Sequence, residues 1–354
     1  MVTTQSCGCS CTPETVAAPC CCTEGKKATP GIRTATSSIT PANRFDHFLA
    51  RWGVHRMGHT VTPGLYRLGN PDEDSPVFAS ANYTLSFDAL RSALTGIDAY
   101  LLVLDTKGIN VWCAAGKGTF GSAELVRSIE CTDLAHIVRH RTIILPQLGA
   151  PGISWPEVMR RSGFRVEYGP VRANDLPQYL KTHTATPEMR RIEFPIVDRL
   201  VLIPVELVHV ALPAIAGALL LFFIGGSLAA LAAIMAVLAG SVAFPLLLPF
   251  LPTRDFSTKG LILGIIVALP IAGAFVSNQT GPVWMNAAGA GMALLVMPPV
   301  TAYLALNFTG CTTFTSRTGV KNEIFLYVPV MAVMAASGVV LGILLGLLGF
   351  LGVV

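Results

Sequence analysis

Beyond residue 199 the chain is almost without charge. Only Arg254, Lys259, Arg317 and Lys321 are basic there, and only Glu206, Asp255 and Glu323 are acidic. Such a long segment with so few ionisable groups would not stay in water, which excludes an ordinary soluble enzyme. The first 199 residues hold 21 Lys and Arg against 18 Asp and Glu. That near-balance lacks the concentrated basic face of a nucleic-acid binder. A basic start followed by an apolar run is also missing, so no signal peptide is expected. Cysteine is scarce outside the first 22 residues, which contain Cys7, Cys9, Cys11, Cys20, Cys21 and Cys22; only Cys113, Cys131 and Cys311 follow. A disulfide scaffold would spread its cysteines through the core, so free thiols in a reducing cytoplasm are expected.

What is present divides the 354 residues into four parts. Residues 1–42 are rich in Ser, Thr, Pro, Ala and Cys, with too little apolar surface to offset the entropy of ordering, and read as a flexible tail. Over 43–182, apolar runs at Val77–Ala81, Tyr100–Asp105, Thr142–Leu145 and Phe164–Tyr168 alternate with helical patterns at Ser86–Leu94, Gly121–Ile129, Trp155–Ser162 and Asn174–Lys181. This alternation predicts βαβ units, a Rossmann-like α/β domain with a parallel sheet, and a ligand at the carboxyl ends of its strands. Residues 183–199 read as a linker. From Leu200 five apolar stretches, roughly 200–224, 228–252, 260–278, 282–308 and 324–353, predict an all-α transmembrane domain of five helices. The four late basic residues fall in the second and fourth connections. The positive-inside rule therefore puts those connections and residues 1–199 in the cytoplasm, with the C-terminus outside.

The segment from Asp105 to Phe120 follows a strand and leads into a helix. Its glycines do not form a phosphate loop, because Val111 and Gly118 stand where that motif needs Gly and Ser or Thr. Gly116, Gly118 and Gly121 follow no immediately preceding strand, so the dinucleotide fingerprint fails as well. What remains is Cys113 beside Trp112 and two alanines. A thiolate at a helix start is stabilised by the helix dipole, which makes Cys113 a candidate low-pKa soft metal ligand; the alternative is a small buried core thiol.

The run Asn110-Val-Trp-Cys-Ala-Ala-Gly-Lys117, with Asp105-Thr-Lys-Gly108 before it and Gly118-Thr-Phe120 after it, resembles the signature of the corrinoid protein of microbial mercury methylation, the HgcA family. More distantly it resembles the corrinoid domain in the large subunit of the corrinoid iron-sulfur protein. Arg51-Trp-Gly-Val-His-Arg-Met-Gly58, Asn82-Tyr-Thr-Leu85, Leu145-Pro-Gln-Leu-Gly-Ala-Pro-Gly152 and Tyr168-Gly-Pro-Val-Arg-Ala173 extend the resemblance over most of 44–200, and a five-span tail belongs to the same pattern. The resemblance implies a cobalamin-type corrinoid held base-off, with Cys113 on the lower face of cobalt and a methyl group on the upper face. It implies corrinoid contacts at Asn110, Val111, Trp112, Cys113, Ala114, Ala115, Gly116 and Lys117, at Ser80, Asn82, Tyr83 and Thr84, at Gln147, Leu148, Gly149 and Ala150, and at Gly169, Pro170 and Ala173. It also implies an upstream methyl donor and a small ferredoxin-like partner with two [4Fe–4S] clusters as electron donor. The histidine route to a base-off corrinoid needs Asp-x-His-x-x-Gly. Here His55-Arg-Met-Gly58 supplies half of it, and Gly53 occupies the Asp position.

The expected activity is a membrane-anchored corrinoid-dependent methyl transfer from cobalt to Hg(II). The alternatives are a methyl carrier of one-carbon and acetyl-CoA metabolism, or a five-span transporter with a cytoplasmic sensing domain. The N-terminal cysteines lack the C-x-x-C spacing of an iron-sulfur site and read either as an Hg(II)-collecting tail or as a dispensable extension. Cys311 is a candidate relay thiol. Glu206 and His209, three residues apart in the first span, are candidate intramembrane groups, with Arg199 close enough in sequence to pair with Glu206.

Overall fold

In the computed structural model residues 31–277, 282–312 and 315–350 are described. The six N-terminal cysteines and the third apolar connection lie outside that set, as does the side chain of Cys311. The N-terminal part runs β1 (Arg33–Ala35), α1 (Pro41–Arg51), β2 (Gly64–Leu68), β3 (Val77–Ala81), α2 (Thr84–Ala93), β4 (Ala99–Leu104), α3 (Val111–Lys117), α4 (Ser122–Cys131), α5 (Leu134–Ile137), β5 (Thr142–Leu145), α6 (Trp155–Ser162), β6 (Arg165–Tyr168), α7 (Leu176–Thr182), α8 (Pro187–Arg190) and α9 (Ile196–Leu200).

The strands form one sheet in the order β1-β2-β4-β3-β5-β6. β3, β4, β5 and β6 are mutually parallel. β3 and β4 are buried at every position, as expected of strands covered on both faces. Successive β4 side chains feed opposite cores. Leu102 and Leu104 pack with Phe120, Leu125, Val158 and Phe164 on one face, while Leu101 and Val103 pack with Phe78, Phe87, Leu90 and Tyr179 on the other.

The expected wholly parallel sheet is corrected to a mixed one, because β2 runs antiparallel to β4. β2 covers the β4 edge, where no crossover helix is required, and carries three-residue β1 parallel to itself. β1 and the start of α1 thus lie ahead of the boundary at Asn43 read from composition. Arg91 ties this start down by donating to the Thr36 and Ser38 carbonyls and to Asp88. Thr40 caps α1, with Pro41 in the first turn, inside the stretch that composition assigns to the tail.

The C-terminal part is helical and apolar: α10 (Ile203–Leu238), a π turn at Ala239–Ala243, α11 (Phe244–Leu247), α12 (Phe256–Val276), α13 (Val283–Asn307) and α14 (Arg317–Phe350). Among the described residues four helical stretches are long and apolar enough to cross a membrane, and the first, Ile196–Leu247, is 52 residues long. It is not straight. Gly226, at φ 76° and ψ −172°, breaks α10. Leu207, Ala211 and Ala218 on one arm line the same cavity of ≈ 580 Å³ as Ala230, Ile234 and Leu238 on the other. On a continuous helix Leu207 and Leu238 would stand about 46 Å apart, so the chain doubles back at Gly226. A second cavity, ≈ 530 Å³, is lined by Phe194 and Arg199 together with Arg254, Lys259, Ser316 and Glu323. The linker and both charged connections therefore meet at one end of the helical part. Arg199, considered above beside Glu206, donates to the carbonyls of Phe194, Pro245 and Leu246.

Candidate functional site

The parallel strands run β4-β3-β5-β6, so the connection leaving β3 runs outward to β4 and the one leaving β5 runs outward to β6, and the two diverge from the β3/β5 pair. Crevices at such a switch point, outside the carboxyl ends of the strands, are where open α/β sheets bind ligands. The corrinoid contacts read from the sequence lie in the segments after β3, β4, β5 and β6, with Ser80 at the end of β3 itself, and the fold brings them to this one edge.

The segment after β4 is built on Asn82, which leaves β3. Its side-chain oxygen accepts the Thr106 N–H at 3.0 Å, the Gly108 N–H at 3.0 Å and the Thr106 hydroxyl at 2.9 Å. Asn82 and Thr106 are buried. These bonds fix a turn in which Lys107 and Gly108 both adopt left-handed backbone angles. Asn110 then caps α3, its side-chain oxygen taking the Cys113 N–H at 2.9 Å. Gly118, at φ 84°, ends the helix.

α3 has two unlike faces. Val111, Ala114 and Ala115 are buried against the core; Trp112 and Cys113 are half-buried; Gly116 and Lys117 are exposed. Small residues on the inner face allow close approach to the turn Gln147–Gly152. A Cβ on Gly152 would fall 2.1 Å from the Phe120 carbonyl oxygen and 3.0 Å from Ala115 Cα, and one on Gly149 would fall 2.6 Å from the Phe120 ring. On the outer face Cys113 and Gly116 are three residues apart, and a Cβ built on Gly116 meets nothing within 4 Å. The thiol therefore stands on an open face with room beside it.

Burial pushes the Cys113 thiol above its ordinary pKa, although the Lys117 ammonium, the Asn110 side chain and the Arg56 guanidinium pull it down. This corrects the expected low-pKa thiolate. Desolvation of the half-buried sulfur is the largest contribution and outweighs the three that favour the thiolate. Arg56 also acts on Tyr83, whose phenol burial pushes up.

Of the other residues read from the sequence, Ser80, Gly149, Gly169 and Pro170 are buried at this edge, and Tyr83, Thr84, Gln147, Leu148, Ala150 and Ala173 are partly exposed. The Gly169 N–H bonds the Leu145 carbonyl, and the Gln147 N–H bonds that of Pro170, tying the last two connections together. His55 is exposed. His59 is buried, with Nδ1 2.7 Å from Asp46 and Nε2 2.7 Å from the Val54 carbonyl. Burial disfavours the imidazolium, but the Val54 carbonyl and the Asp46 carboxylate outweigh it and raise the pKa above 6.5. From the sequence His59 reads as a structural group rather than a cobalt ligand, but its Asp46 partner, Arg56 as a neighbour of Cys113 and the Phe120 packing were all missed. The Arg51–Gly58 block, which holds Arg56, was the signal for the second.

A thiol is a soft donor, and Cys113 is the donor the edge presents. Among the described residues no group of three His, Cys, Asp or Glu side chains could hold a metal ion. Cys113 is suited to a metal that arrives with most of its ligands in place, such as one carried in a flat macrocycle.

Residues 55–178 match the family described as CO dehydrogenase/acetyl-CoA synthase delta subunit. The stretch includes β2 to β6 and every site residue above, and it ends before the apolar helices. Curated relatives are named acetyl-CoA decarbonylase/synthase complex subunit gamma. That of Methanopyrus kandleri is 36% identical over 128 residues, covering 36% of this chain and 27% of the relative. That of Methanothermobacter thermautotrophicus is 32% identical over 178 residues, covering 45% and 38%. That of Methanocaldococcus jannaschii is 39% identical over 97 residues, covering 27% and 20%. The chain thus spans less than two fifths of the length of these relatives.

Proposed function

We propose that the chain is a membrane-anchored corrinoid-dependent methyltransferase whose methyl acceptor is Hg(II), with methylmercury as product. The observation that carries the reading is Asn110-Val-Trp-Cys-Ala-Ala-Gly-Lys117 at the sheet's switch-point edge, its cysteine on the open face of α3. The fit rests on a half-buried thiol, the clear space over Gly116 and the inward alanines, which together let a flat ring approach the helix. Bound there, a corrinoid supplies a cobalt-carried methyl group that can leave toward a soft electrophile. Cys113 would hold the cobalt as a thiolate, its proton passing to solvent. Arg56 and Lys117 oppose the negative charge this leaves on sulfur. Asn82 and Asn110 fix the turn and the helix that carry the thiol. A small ferredoxin-like protein with two [4Fe–4S] clusters is the proposed electron donor, and a separate protein the methyl source.

The relatives' names favour a second reading, a methyl carrier within acetyl-CoA chemistry. The apolar helices favour a membrane protein in either case. The doubling back at Gly226 supports five crossings, and the meeting of the linker with both basic connections supports a cytoplasmic α/β domain in the inner membrane.

Anoxic cells carrying the chain and its ferredoxin-like partner should convert Hg(II) to methylmercury, and Cys113→Ala should abolish this together with a sulfur–cobalt charge-transfer band in the purified protein. If the methylated holoprotein served acetyl-CoA synthesis and left Hg(II) unmethylated, the second reading would replace the first.

A further inference from the structure

α1 carries an apolar stripe that the folded domain does not use. Phe45, Phe48 and Trp52 are all exposed, Phe45 at 63% and Phe48 at 53%. At 100° per residue the three fall within about 60° of one another around the helix. The opposite side is the docked one. Ala50 is buried, His47 bonds Asp88 at 2.8 Å, and Asn43 accepts from Arg91 at 3.0 Å. Exposed Arg44 and Arg51 lie together along one border of the stripe, and exposed Val54 and Met57 extend it into the following turn. Five large apolar side chains gathered beside two arginines are not ordinary soluble surface.

The stripe is continuous with the first apolar helix. Trp52 lines the cavity between the arms of α10, with Leu207 and Val208. A Cβ on Gly53 would lie 3.2 Å from the Val205 side chain. Val205 and Val208 stand on the order of 3–8 Å along the axis from Ile203, where α10 begins. Amphipathic helices lying in a bilayer surface bury their apolar face to a similar depth, about 5–10 Å.

We infer that α1 and the turn after it form an interfacial helix, with Phe45, Phe48 and Trp52 inserted in the phospholipid leaflet at the end of the helical part where the α/β domain sits, and with Arg44 and Arg51 at the level of the lipid phosphates. This rests on the membrane reading above. α1 also carries Asp46, which clasps His59 and thereby the turn bearing Arg56. Seating α1 in the leaflet therefore orients the Cys113 face relative to the membrane.

The test uses the full chain, one copy per nanodisc, in phospholipid brominated either high on the acyl chain or near its methyl end. The Trp52 emission is taken as the difference between the protein and Trp52→Phe, and the emission of Trp284, in the first turn of α13, as the difference from Trp284→Phe. A new Trp in Phe45→Trp/Trp52→Phe reports from the far end of the stripe. Trp52 and the Trp at position 45 should both lose most of their emission to the high bromines and little to the deep ones. Trp284 quenched while both stripe positions are unquenched would overturn the interfacial helix and leave the membrane reading standing. All three unquenched would remove the membrane reading itself. Stripe emission lost on corrinoid loading in unbrominated lipid, with no loss to bromine, would assign the stripe to the cofactor and overturn the inference.

Discussion

Replacing Asn82 tests how the sheet places Cys113. Its side-chain oxygen is the acceptor for two buried N–H groups, those of Thr106 and Gly108, and shares the Thr106 hydroxyl proton with the Ile109 carbonyl, 2.6 Å from that hydroxyl. Asn82→Ala leaves both N–H groups without their partner. Each unsatisfied buried donor costs about 1–3 kcal/mol, and water entering the vacated space returns part of it, so a loss of about 2–5 kcal/mol is expected. The turn it releases holds Lys107 at φ 60°, an angle that a non-glycine residue keeps only when its surroundings enforce it. The readout is native-state hydrogen exchange of the Thr106 and Gly108 amides in the full chain. Protection should fall by roughly 30-fold or more, since each 1.4 kcal/mol is a factor of about ten. Asn82→Asp keeps the acceptor oxygen and should retain most of the protection. Unchanged protection in Asn82→Ala would refute the argument that β3 holds the turn leading to Cys113.

Gly152→Ala should displace α3 from its turn, because the new Cβ meets the Phe120 carbonyl and Ala115 Cα; a cost of about 1–3 kcal/mol or more is expected, read as a lowered unfolding midpoint and a changed Trp112 emission. In ligand-free protein the alkylation rate of Cys113, taken by difference from Cys113→Ala, should keep rising with pH beyond the range of an ordinary thiol, since burial raises its pKa; saturation at neutral pH would show a thiolate already formed. The His59 clasp should contribute its full stability below pH 6.5 and lose it as pH rises through the raised folded-state value, because the unfolded histidine gives up its proton first. An unfolding midpoint that declines over that range in the native chain and stays flat in His59→Phe would bear this out; parallel profiles would sink it.

β3, β4 and β5 were legible because strands covered on both faces read as near-continuous apolar runs, and Ala99–Leu104 is buried at all six positions. β1 and β2 carry no such run. β1 has three residues and β2 mixes buried with exposed positions, so their place depends on partners far along the chain. α1 was signalled by Thr40 followed by Pro41 and was hidden by the apparent polarity of the segment before it. The motif was read as placing Cys113 at a helix start, and α3 does begin at Val111, but the sign of the thiol's pKa shift follows from packing, which spacing does not encode. Asn82 was picked out as a contact for the ring. The structure also gives it three bonds to the turn, and no local pattern distinguishes those roles.

The left-handed residue at position 226 sets a parity. An apolar helix of 52 residues, drawn straight, would extend about 78 Å against a hydrocarbon layer of about 30 Å. On the membrane reading proposed above, the break at Gly226 makes it two passes, so the described helices supply an odd number of crossings where an unbroken first helix would supply an even one. On that reading the side of the bilayer reached by the end of α14 is set far upstream, at one backbone angle that a side chain rarely adopts.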